Sequence, residues 1–126
     1  MTFPDHELPN ALITHARGLT AASAASELIC AHQAWLTNPD FVGDYITTGT
    51  RTSGHAYAYI RWDEAITALN ARQLGGSASE NNILRIAASL ADHHIPVHLA
   101  CCLGNLDQTN IRLVATAITA ANGLRA

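Results

Sequence analysis

At 126 residues and 13.4 kDa, with 48% hydrophobic and 13% charged residues and a formal charge of -3, the chain can close one hydrophobic core without a metal or disulfide staple. Few charges and plentiful apolar residues exclude an extended disordered chain, and the acidic balance excludes a strongly basic nucleic-acid clamp. The charged fraction falls well below the roughly 25% of an average globular chain, so much of the surface is small and weakly polar, a character that suits shared surfaces.

Residues 1–9 carry Pro4 and Pro9 among polar residues and read as an extended lead-in to a single domain over 10–126. Asn10 caps a short helix from Ala11 to Arg17, which Gly18 stops. Thr20 opens a longer helix to about Leu36, with Ala21, Ala25, Leu28, His32 and Trp35 along one side. Its alanines permit close helix approach, within the chain or to a second subunit. Asn38, Pro39 and Asp40 supply a cap, a first helical position and a favourable dipole charge, and Phe41, Val42, Tyr45 and Ile46 form one face of the helix that follows. The alternative is a strand over Tyr45 to Thr50.

The run from Thr47 to Gly54 is turn chemistry, after which His55, Tyr57, Tyr59 and Arg61 alternate with Ala56, Ala58 and Ile60. This predicts a strand over 55–61. A lone strand leaves its ladder unpaired, so it needs a partner: residues 45–50, the short segment from Ile95 to Leu99, or another subunit. Asp63 caps a helix to about Leu74, ended by Gly75 and Gly76. Ser77 and Glu80 make a capping box for a helix over 78–92, where Ile83, Leu84, Ile86, Ala87, Leu90 and Ala91 form a broad apolar arc. Pro96 forbids its continuation. A short strand or a turn of helix leads to Leu103, and Asp107 caps a last helix to about Asn122 with Ile111, Val114, Ala115, Ile118 and Ala121 inward.

The densest set of reactive side chains lies between His93 and Cys102. If 97–103 is helical, His98 and Cys101 share a face and His94 reaches them across the Pro96 bend, so His94, His98, Cys101 and Cys102 form a candidate zinc set. The same residues, read as plain core and helix capping, need no cofactor. A thiol–imidazole nucleophile at Cys101 or Cys102 lacks a third group to orient it. Asp63 and Glu64 begin a helix, and the Gly75–Gly76 pair has no phosphate-binding cation beside it.

Residues 98–115 superficially suggest a helix-turn-helix, with Gln108, Thr109 and Arg112 facing outward toward a major groove. Only Arg112 and Arg125 supply local cations for phosphates. The remaining signal is the aromatic strand: Tyr57, Tyr59 and Arg61, with Trp62 adjacent, are residue types enriched at interface cores, and the same residues equally suit a covered sheet face inside the monomer. Three cysteines, two of them adjacent, suggest no disulfide framework and point to a reducing cytoplasm. The N-terminus has neither the cationic nor the apolar part of a secretion signal, and no stretch is apolar enough to span a membrane.

Trp62, the Ser77–Glu80 cap, the Ile83–Ala91 helix, Pro96–Val97 and the Leu106–Asp107–Asn110 helix start resemble a pattern recurring in small actinobacterial and actinophage proteins without assigned activity. The resemblance covers about residues 55–123. It implies an origin and no catalytic residue.

Together these readings predict a mainly α member of the α+β class: a compact bundle of five or six short helices with one small β element. The leading function is a non-enzymatic, cytoplasmic protein–protein interaction or assembly protein, homo-oligomeric and without cofactor. The alternatives are a DNA-binding regulator using 98–115 and a small zinc-binding domain.

Overall fold

The computed structural model describes residues 7–124, and its first helix, α1, runs Leu8–His15. It begins three residues before Ala11, because Pro9 falls in the first turn, where a missing N–H forfeits no intrahelical bond. Leu8 and Leu12, one helical turn apart, are both buried and tie this start to the core. Leu8 and Pro9, expected in an extended lead-in over 1–9, are helical, and the first six residues of that lead-in lie outside the described ones.

Helix α2, Thr20–His32, is shorter than expected and has Leu19 at its N-cap instead of Thr20. Gln33 takes a left-handed backbone (φ 73) and the chain tightens into a 3₁₀ turn over Ala34–Thr37. That break turns Trp35 into the core, where its Nε1 donates to the Glu80 carbonyl at 2.9 Å. The asparagine cap before α3, Pro39–Tyr45, is as read: Asn38 Oδ1 accepts from the Asp40 and Phe41 amides at 3.0 and 3.2 Å.

Beyond α3 the strand alternative holds. Strand β1, Ile46–Thr50, pairs antiparallel with β2, Ala56–Ile60, placing Ile46 opposite Ile60 and Gly49 opposite Tyr57. Three of the five β1 residues are threonines and one an isoleucine, which favour a pleated surface over the turn expected from Thr47 onward. Turn chemistry is confined to 51–55, where the Arg51 amide donates to the His55 carbonyl at 2.8 Å and Gly54 takes φ 88. The partner of the aromatic strand is thus intramolecular, and Ile95–Leu99 forms no strand.

Helix α4 is Trp62–Asn70, so Asp63 and Glu64 sit in the first turn instead of at the cap, where their charges still suit the dipole. It ends four residues before Leu74. Helix α5, Ala78–Ala91, carries the expected capping box: Ser77 Oγ accepts from the Glu80 amide at 3.1 Å and Glu80 Oε1 accepts from the Ser77 amide at 2.7 Å. A single-turn α6, Leu99–Leu103, precedes α7, Gln108–Ala121, whose start is fixed by Asp107 accepting from the Asn110 amide at 2.8 Å. The inner stripe of α7 is Val114, Ala117 and Ala120; the expected Ala115 and Ile118 face outward, Ile118 at 45% exposure.

The described residues thus form seven α-helices and one two-stranded sheet, a mainly α member of the α+β class. Helix α2 is central, packing most extensively on α5 and α7, while α1 lies between α2 and β2. Helices α4 and α6 flank α5. No helix among the described residues is long and apolar enough to cross a membrane.

Candidate functional site

Strand alternation sends Ala58 and Ile60 into the core and Tyr57 and Tyr59 to the other face of the hairpin. The two tyrosine rings lie parallel, 6.3 Å between centroids and 6° apart in plane. His15, at the end of α1, stacks on both, 5.2 Å from Tyr59 and 6.0 Å from Tyr57. Arg51, from the hairpin loop, places its guanidinium 5.5 Å from the Tyr57 centroid and Nη2 3.4 Å from His15 Nδ1. The end of α1 and the hairpin therefore build one partly exposed platform of two phenol rings, an imidazole and a guanidinium. Tyr59 keeps 38% of its surface exposed.

Gly49 makes this arrangement possible. It sits directly opposite Tyr57, and a Cβ there would lie 2.5 Å from Tyr57 Oη and 2.8 Å from Cε1. The Tyr57 ring therefore lies flat across β1 only because the cross-strand position has no side chain, an aromatic cover for a strand glycine.

Of the four interface residues expected from the sequence, the structure brings Tyr57 and Tyr59 together and assigns the other two elsewhere. Arg61 Nη1 pairs with Glu64 Oε2 at 2.6 Å and Nη2 donates to the Asp44 carbonyl, tying β2 to the start of α4 and the end of α3. Trp62 is half-buried against the core. His15 carried no local signal, because its contact with the tyrosines is tertiary, and Arg51 meets Tyr57 only once the hairpin closes.

The predicted zinc quartet is not assembled. Cys102 is buried in the core cluster and its thiol is pushed above the usual range by that burial, whereas His94, His98 and Cys101 are exposed. Among the described residues, the metal-ligating side chains that do converge are Asp92, His93 and His94. Cys30 is likewise pushed up to about 11, by burial and then by the charge of Glu27.

The packing around 98–115 differs from that of a helix-turn-helix. Such a motif needs its two helices against one another, but α6 is a single turn that packs on α5, while α7 packs on α2. Gln108, Thr109 and Arg112 are exposed at the start of α7 without that support. A cleft of about 370 Å³ near the start of α2 is lined by Arg17, Thr20, Ser23 and Glu27, with no histidine or cysteine in its wall.

His32, at the end of α2, is half-buried. Its Nδ1 is buried without a hydrogen-bond partner among the described residues, as is Asn81 Oδ1. Burial lowers the His32 pKa below the ordinary 6.5, against the opposing pull of Glu80 and Asp107. The unfolded chain therefore binds this proton more readily than the folded one, so the contribution to stability is complete above the ordinary imidazole pKa and is lost as pH falls below it. The melting temperature is expected to fall between about pH 7.5 and about pH 5.5, and by less in His32→Gln; equal falls in both proteins, read by circular dichroism, would assign the acid sensitivity elsewhere.

Compared with known proteins, the chain matches no family model, no curated protein and no solved structure.

Proposed function

We propose that this chain is a non-enzymatic cytoplasmic interaction protein that self-associates through the outer face of its hairpin. The observation that carries the reading is the exposed platform of Tyr57, Tyr59, His15 and Arg51. Tyrosine and arginine are the residue types that dominate interface energetics, and rings already held in register lose little conformational entropy on binding. The platform also contains both halves of a cation–π pair. Two copies related by a twofold axis can therefore place the guanidinium of each on the phenols of the other, as an isologous dimer interface requires.

The surface around it supports the same reading, since a weakly charged exterior opposes close approach of two copies only slightly. The likeness to small actinobacterial proteins adds an origin to this proposal and no activity. Tyr59→Asp puts a charge at the centre of the platform, and Gly49→Ala displaces the Tyr57 ring without altering any charge. Both variants are expected to keep the wild-type circular dichroism spectrum and to elute from a calibrated column as monomers under conditions where the wild type elutes as a larger species. Wild-type elution by both folded variants would refute the proposal.

A further inference from the structure

The turn that follows α5 gathers three metal-ligating side chains, Asp92, His93 and His94. The Asp92 carbonyl accepts from the Ile95 amide at 3.0 Å, closing a tight turn with His93 and His94 at its two central positions. Asp92 Oδ1 accepts from the His94 amide at 2.9 Å and lies 3.2 Å from His94 Nδ1. The two imidazole rings are 4.0 Å apart, both exposed, and one ligand atom from each of the three residues lies within 4.8 Å of the others.

We infer that Asp92, His93 and His94 form a binding site for a single divalent transition-metal ion of the zinc type. Two imidazoles and one carboxylate suit such an ion, which is served by three protein ligands with water in the remaining position. Around zinc the ligand atoms stand roughly 3.4 Å apart for bonds of about 2.1 Å, so a modest rotation of the exposed His93 ring completes the set. The position favours a cation as well, since the carbonyl end of α5 carries the negative pole of the helix dipole. Pro96 restricts Ile95 to extended conformations and stiffens the exit from the turn.

This assignment differs from the quartet suggested by spacing alone, and the two are separable. Zinc chloride titrated into the full chain in a calorimeter is expected to bind with one site per chain. His93→Ala, His94→Ala and Asp92→Asn should each weaken that binding markedly, and the His93→Ala/His94→Ala double variant should abolish it. His98→Ala and Cys101→Ser should bind as the wild type does. Because the substituted histidines are exposed, a circular dichroism spectrum confirms that the fold is retained. The inference is overturned by an absence of saturable binding, by binding that survives the double variant, or by binding that disappears in His98→Ala or Cys101→Ser.

Discussion

Trp35→Ala is expected to lower the unfolding free energy by about 3–5 kcal/mol, a large share of the roughly 5–15 kcal/mol that stabilises a domain of this kind. Trp35 is only 2% exposed, packs its ring 5.0 Å from that of Phe41 and donates from Nε1 to the Glu80 carbonyl at 2.9 Å. It thereby joins the turn after α2 to the first turn of α5. Alanine would open a cavity between those elements and remove the bond that ties the first turn of α5 to the 3₁₀ turn after α2. Urea unfolding followed by circular dichroism measures the effect; a loss below about 1 kcal/mol would mean that the site refills.

Ala25→Leu is expected to destabilise by about 1–3 kcal/mol or more, whereas Ala31→Leu on the exposed side of the same helix should change stability by less than about 0.5 kcal/mol. Ser23, Ala24, Ala25 and Ser26 are buried on α2, and Ala87 and Ala88 are buried on α5, the helix it packs against most extensively. Small side chains buried around α2 let it sit close between its neighbours α5 and α7, and added methylenes at such a close-packed position force strained rotamers or separate the helices. Equal stabilities for the two variants in the same urea titration would show that the α2–α5 contact has room to spare.

The elements that were legible in the sequence are those fixed by local chemistry. The caps at Asn38, Ser77–Glu80 and Asp107 form the hydrogen bonds their residue types imply, and the alternation of Ala58 and Ile60 with Tyr57 and Tyr59 gives β2 its two faces. Two local readings did fail, since Thr20 and Asp63 lie inside the helices they were expected to cap, and the remaining differences depended on tertiary packing. The α2 helix stops at His32 because burial of Trp35 requires a turn there, and α7 is rotated because Ala117 and Ala120 fit against the bundle where the bulkier Ile118 does not. For β1, three threonines and a glycine read as turn residues, but the facing strand makes them a ladder and Gly49 the bed for a tyrosine ring.

The candidate site was half legible for the same reason. Tyr57 and Tyr59 are visible as an aromatic pair at strand spacing, whereas His15 comes from another element and Arg51 from the loop that closes the hairpin. Likewise the histidines between 93 and 98 were visible as a group. Which of them converge was decided by the turn that Asp92 closes, and that turn carries His93 and His94 together while His98 begins α6.

Sedimentation velocity of the wild-type chain over a wide concentration range, at low and at high salt, tests the central claim most directly. Association through stacked rings buries apolar surface, so the sedimentation coefficient should rise with concentration to that of a dimer and stay there in high salt, where exposed charge–charge attractions are screened. A single monomeric species at every concentration in both buffers would contradict the account.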